Sequence, residues 1–163
     1  MNKTTLNLGE IYGLDGELNG VLNQNTGERL TKGILGQALP LLQKYWLGEL
    51  NEEITKQKKA IDKLRDELVI KYGVPDSKGG YTIPLSIDKV DEEGNVEKND
   101  NDEAVKIINP NFEKFNEEFA ALLEETREIE HYPFKIENLD FTTDEVYPVF
   151  MKLLKVKKDE SPK

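Results

Sequence analysis

The sequence predicts a mainly α protein with a small β ribbon, an α+β chain framed by two long antiparallel amphipathic helices that form a helical hairpin, with short terminal helices. Three observations predict it. Residues 35–73 carry Leu47, Leu50, Ile54, Gln57, Ile61, Leu64 and Leu68, whose steps of three and four keep one helical face apolar. Residues 109–132 repeat that alternation in Phe112, Phe115, Phe119, Leu122, Thr126 and Ile129. Between them Tyr81, Ile83, Leu85 and Ile87 alternate with Thr82, Pro84, Ser86 and Asp88, the period of a strand with one apolar face.

The elements follow in chain order. Leu8, Ile11, Leu14, Leu18, Val21 and Leu22 fit a helical face over Leu6 to Asn23. Gly13, Gly16 and Gly20 each weaken a helix by up to ~1 kcal/mol against Ala, so this helix is expected to form only when docked. Asn23 to Gly27 is a turn cluster. In the long helix Pro40 suits the first turn and Gly73 the stop. At ~1.5 Å per residue it would span roughly 50 Å, with Gln57 the one polar break in its seam. Glu52 with Lys56 and Glu67 with Lys71 have the favourable i,i+4 orientation on its outer face. At its start Leu41, Leu42, Tyr45, Trp46 and Leu47 face several directions, so more than one element should pack there. Tyr45 and Trp46 read as core packed against the first helix in preference to an interface anchor.

Residues 79–108 form the ribbon arm. Pro84 cannot donate to a ladder, which makes the strand an edge or half of a two-stranded ribbon. Asp91 to Asn95 is its turn, Val105 and Ile107 mark its return, and Lys98 to Glu103 is a polar insertion. Asn109 and Pro110 open the second long helix, which Tyr132-Pro133 closes. Phe134 and Ile136 alternate as a short strand. Thr143 starts a last helix with Val146, Phe150, Leu153 and Leu154, and residues 155–163 read as a charged, disordered tail. The expected organisation is a single helical domain over residues 1–154.

Composition narrows the function classes. Of 163 residues 37% are hydrophobic and 33% charged, a balance that fits exposed helices with narrow seams. The absence of cysteine removes disulfides, thiolate metal sites and Cys nucleophiles. No run approaches the ~20 apolar residues of a membrane span, and Met1 to Thr5 does not read as the start of a signal peptide. A net charge of −10 opposes nucleic acid and anionic membranes as partners. That charge is uneven: Asp88 to Glu103 holds eight acids against two lysines, while Glu49 to Lys71 is balanced at six and six.

No motif carries chemistry. His131, the single histidine, reads as a cation near a helix C-terminus in preference to a general base. The acidic run from Asp91 to Glu103 has no calcium-loop register and reads as a solvated loop. Gly33 and Gly36 lack the residues of a phosphate cradle, and no nucleophile-elbow or zinc-protease motif is present. A two-carboxylate glycan hydrolase is disfavoured by the acidic field. No catalytic residue, cofactor, metal ligand or small-molecule substrate is therefore expected.

The order of pieces resembles a known group. The run from Ala60 to Gly73, the Gly-bearing strand after it, Asn109-Pro110-Asn111-Phe112 through Phe119, the Glu-rich stretch to Glu130, and Tyr147-Pro148-Val149-Phe150 resemble small proteins of tailed bacteriophages encoded among structural and assembly genes. The likeness covers about residues 35–154, is one of layout, and carries no site residues. It implies a place in the host bacterial cytoplasm or the virion. The expected function is thus a non-catalytic interaction protein, a structural or assembly component whose partners are copies of itself in a homo-oligomer or other phage structural proteins. Its contacts would be the helical seams (Leu47, Leu50, Ile54, Ile61, Leu64, Leu68, Phe112, Phe115, Phe119, Leu122), the ribbon (Tyr81, Ile83, Leu85, Ile87) and Trp46. The alternative is an acidic inhibitor of a host protein, of the DNA-mimic or anti-defence type.

Overall fold

The computed structural model describes residues 1–134 and 145–154. In chain order the elements are β1 (Asn2–Asn7), α1 (Leu8–Asn19), a 3-10 turn (Ile34–Gly36), α2 (Leu41–Tyr72), β2 (Val74–Pro75), β3 (Tyr81–Thr82), β4 (Ser86–Asp88), β5 (Lys106–Ile108), α3 (Pro110–Glu124), β6 (Thr126–His131) and α4 (Phe150–Leu153). The α+β class is as expected, and so is the long helix. The chain divides into two compact units, one of Met1–Ile61 with the described residues from Leu123 on, the other Asp62–Leu122.

In the first unit β1 and β6 pair antiparallel, from Asn2 opposite His131 to Asn7 opposite Thr126. Thr4 lies opposite Ile129, and Leu6 and Ile129 are buried. The chain passes from β1 directly into α1 through a capping box. Asn7 Oδ1 accepts from the Glu10 amide at 2.7 Å, and the Asn7 amide donates back to the Glu10 carboxylate at 2.9 Å. This cap offsets the cost of the glycines in α1, and burial of Ile11, Leu14 and Leu18 supplies the docking that the sequence required.

α1 docks on α2. Asn19 donates to Asn51 at 2.8 Å, Thr55 to Asp15 at 3.5 Å, and the Lys58 ammonium lies 5.0 Å from the Tyr12 ring centre. Partners descend α1 as they ascend α2, so the two helices are antiparallel. Leu47, Leu50, Ile54 and Ile61 are buried, and Gln57 is buried among them with its amide donating to Glu53. The carbonyl oxygen of buried Gln43 has no hydrogen-bond partner. At the far end of α1, Gly20 and Gly33 have positive φ of 80° and 71° and touch backbone to backbone. A Cβ on Gly33 would lie 2.3 Å from the Gly20 nitrogen. Glu17 accepts from the amides of Val149 and Phe150 at 3.0 and 2.8 Å, which holds α4 with Phe150 buried against Phe134.

The second long helix differs from the reading over 109–132: α3 ends at Glu124, and Thr126–His131 is a strand. Thr126 and Ile129 continue the helical spacing, but β1 provides a ladder 125 residues away in sequence that the local pattern cannot show. His131 accordingly ends a strand and not a helix. Ile136, Thr143 and the tail fall outside the described residues.

The second unit contains the end of α2, most of α3 and the ribbon. The single ribbon expected from Tyr81 to Ile108 is instead a set of short hairpins, since Ile83, Pro84 and Leu85 interrupt it. β2 pairs with β3, and β4 pairs with β5 from Ser86 opposite Ile108 to Asp88 opposite Lys106. Beyond β4, Val90 bridges to Val96 and Lys98 to Ala104. Asn109 ties the ribbon to α3: its amide donates to the Pro84 carbonyl at 2.8 Å while its Oδ1 accepts from Asn111 at 3.0 Å.

Candidate interaction surfaces

Three turns in the second unit share one construction. Asp76, Asp91 and Asn99 each accept, on one side-chain oxygen, the amides two and four residues later: Lys78 and Gly80, Glu93 and Asn95, Asn101 and Glu103. The residue three places on has positive φ in every case, Gly79 at 83°, Gly94 at 88° and Asp102 at 65°. This is Asx-turn chemistry closing a tight hairpin, with glycine or aspartate at the left-handed position. Of the three, the sequence predicts only the turn at Asp91, and Lys98 to Glu103, expected as a loop, closes as a hairpin turn. The recurrence of Asp-x-x-Gly at Asp76 and Asp91 was the available signal. The carboxylates of this stretch thus hold backbone amides. The Asn95 amide, foremost, holds the Asp91 carboxyl below its usual range. Among the described residues no group of three or more His, Asp or Glu side chains is arranged to hold a metal ion.

In this unit no apolar side chain is buried. From Asp62 to Leu122 the one buried residue is Asn109. Leu64, Tyr81 and Leu85 are exposed, whereas Leu68, Ile83, Ile87, Phe112, Phe115, Phe119 and Leu122 are half-buried. Val90, Ile107 and Ile108 are exposed as well. Polar contacts join the end of α2 to α3. Lys71 pairs with Glu118 at 2.8 Å, the Tyr72 hydroxyl donates to the same carboxylate, and Asn111 donates to the Tyr72 carbonyl at 3.2 Å. Lys71, ahead of Tyr72, holds the Glu118 carboxyl below its usual range.

The seam residues therefore separate. Leu47, Leu50, Ile54 and Ile61 lie in the core of the first unit, and Leu64, Leu68 and the α3 row belong to the second. Comparison of the chain with protein-family models, with curated proteins and with solved structures finds no match.

Trp46 has an aromatic partner that the sequence does not predict. Its half-buried ring stacks on Tyr132 at 5.0 Å and 7°, with exposed Tyr45 edge-on at 5.1 Å. The partner lies just past β6, an element absent from the sequence reading. Beside this stack a groove of about 590 Å³ runs between one face of α2 and β6. His131, at the end of β6, is only 2% exposed. A carbonyl can only accept, so Nδ1 carries the proton donated to the Tyr132 carbonyl at 2.8 Å, and Nε2 accepts from the Thr4 hydroxyl at 3.0 Å. Burial, the largest influence, pushes its pKa down. The residue is a neutral core histidine, which corrects its reading as a cation at a helix end.

Proposed function

We propose that the chain is a non-catalytic interaction protein of a tailed phage, a structural or assembly component that works through its second unit. The observation that carries the interaction is the absence of any buried apolar side chain from Asp62 to Leu122, beside exposed Leu64, Leu85, Val90, Ile107 and Ile108. A folded unit of that size normally buries a core, and an apolar surface left open in this way is the common mark of an interface. The phage setting, with the host bacterial cytoplasm or the virion as location, rests on the resemblance in layout alone. In this reading the end of α2 and α3 close as the helical hairpin, whose seam and neighbouring ribbon are covered by another copy or by another phage structural protein. Light scattering after size exclusion tests it. The expected result is an oligomer whose mass falls to that of the monomer when Leu85, Ile107 and Ile108 are replaced by Ser, with unchanged circular dichroism. A wild-type monomer at every concentration overturns self-association as the mechanism.

One observation favours the second reading, an acidic inhibitor of a basic host protein. Asp62 to Leu122 holds fifteen acids and eight bases, so seven of the ten net negative charges of the chain reside there. Affinity for a basic partner that falls steeply with salt would favour this reading.

A further inference from the structure

We propose that the groove between α2 and β6 in the first unit binds an extended, basic peptide strand, which adds to the open edge of β6. This surface is separate from the one proposed above and stands whether or not that reading holds.

The groove is lined by every residue of the run Arg127 to Tyr132 and by none of the residues Asn2–Asn7 of β1. Side chains of a strand alternate between faces, so a cleft lined by consecutive residues runs along the strand edge. The orientation of that edge follows from the ladder. The Leu8 amide donates to the Glu125 carbonyl at 2.8 Å, in phase with Leu6 opposite Arg127 and Thr4 opposite Ile129. Those pairs exchange backbone hydrogen bonds with β1, and the alternate residues Glu128 and Glu130 turn their N–H and C=O groups outward, into the groove. Among the described residues no strand pairs with that edge. Unpaired edge groups recruit another strand, and β6, at roughly 3.4 Å per residue, presents about 20 Å of it.

Charge selects the occupant. The opposite wall is one face of α2, with Trp46, Glu49, Leu50, Glu53 and Lys56 at helical spacing. Glu49, Glu52, Glu53, Glu128 and Glu130 line the groove against Lys56, Arg127 and the start of the chain. Lys3 pairs with Glu128 at 2.8 Å and Glu130 at 3.2 Å on the outer face of the sheet, while on the α2 wall Glu49, Glu52 and Glu53 stand beside Lys56 as the one base, so the acidic excess of the groove lies there. A strand with alternating lysines would place its cations against these carboxylates, with the Trp46–Tyr132 stack closing one end.

The probe is a synthetic peptide, acetyl-Lys-Val-Lys-Val-Lys-Val-amide, titrated into the full chain. Trp46 is the one tryptophan and lines the groove, so its emission reports occupancy. Saturable binding is expected, with slowed amide exchange at Glu128 and Glu130. A peptide N-methylated on the lysines or on the valines should lose at least tenfold in affinity for one of the two patterns, because one edge of its ladder is removed. A Glu-for-Lys peptide should not bind. Glu128→Pro removes an outward N–H without touching the β1 ladder and should weaken binding tenfold; should that variant fail to fold, the N-methylated peptides still decide. Equal binding of both N-methylated forms, or protection at Asp91 to Glu103 in place of β6, would show a polycation on an acidic surface and overturn the proposal.

Discussion

Truncating one apolar residue in each unit separates a core from an open surface. Ile54 is fully buried in α2 beside α1, and its replacement by Ala removes side-chain atoms from a packed environment. Such Ile→Ala changes cost about 2–5 kcal/mol, the lost transfer energy plus a cavity that relaxes only in part. Leu85 is 63% exposed, so a little over a third of its side chain leaves water on folding. Complete burial of a leucine stabilises by about 1.5–3 kcal/mol, which puts the cost of Leu85→Ala at about 0.5–1 kcal/mol. In a chain of this length 1 kcal/mol moves the melting temperature by roughly 2–4 °C. Ile54→Ala should therefore melt at least 4 °C below the parent and Leu85→Ala within about 4 °C of it, followed by far-UV circular dichroism at protein concentrations where the chain is monomeric. Where the parent self-associates, the Leu85→Ala deficit should grow with protein concentration and the Ile54→Ala deficit should not. Equal losses in the monomer would mean that the ribbon face is covered within the chain, and the argument for an interface there would fail.

Gly33→Ala should destabilise by about 3 kcal/mol or more, measured by urea unfolding, because the new methyl meets the Gly20 backbone at 2.3 Å and φ is positive; a loss below about 1 kcal/mol would refute the close approach. Burial depresses the His131 pKa in the fold, so the unfolded chain binds the extra proton first. Stability from this residue is present above the unfolded pKa near 6.5 and is lost as pH falls below it. The melting temperature should fall between pH 7 and 5 in the parent and fall less in His131→Gln, while the carboxylates held low at Glu10 by Lys152 and at Glu145 by the Lys32 amide act only at lower pH. Gly94→Ala should cost its hairpin about 1 kcal/mol through the left-handed φ, and Asp102→Gly, at the equivalent place in the third turn, should change stability by under ~0.5 kcal/mol, read from amide exchange at Asn95 and Glu103.

The parts of the fold legible in the sequence were those set by local periodicity. The seam of α2 and its stop after Tyr72 follow from spacing and from Gly73, and α1 needed the docking that its glycines predicted. What was lost depends on distant partners. Asn2–Asn7 has no apolar alternation, since only Leu6 on it is buried, and it becomes a strand through Thr126–His131. The same pairing converts the last turns of the expected second helix, moves His131 into the core and gives Trp46 its stacking partner. The ribbon failed for a different reason. Its period of two was real, but Pro84 broke the ladder, and three Asx turns, each closing with a handful of residues, divided it into short hairpins.

The division of the α2 seam also limits how copies could associate. A heptad row seen in sequence offers its whole length to a partner. Here Leu47, Leu50, Ile54 and Ile61 are already buried in the first unit, and opening them would cost several kcal/mol. Only Leu64, Leu68, the α3 row and the ribbon are free to be shared. That surface belongs to the unit with fifteen acids and eight bases, so two copies meeting through it repel one another. Salt at ~1 M shortens the screening length to about 3 Å and removes most of that repulsion while leaving apolar burial intact. Self-association through the second unit must then strengthen with salt, whereas docking of a basic protein on the same surface must weaken. The sign of the salt dependence, more than the affinity, distinguishes self-association from docking of a basic protein.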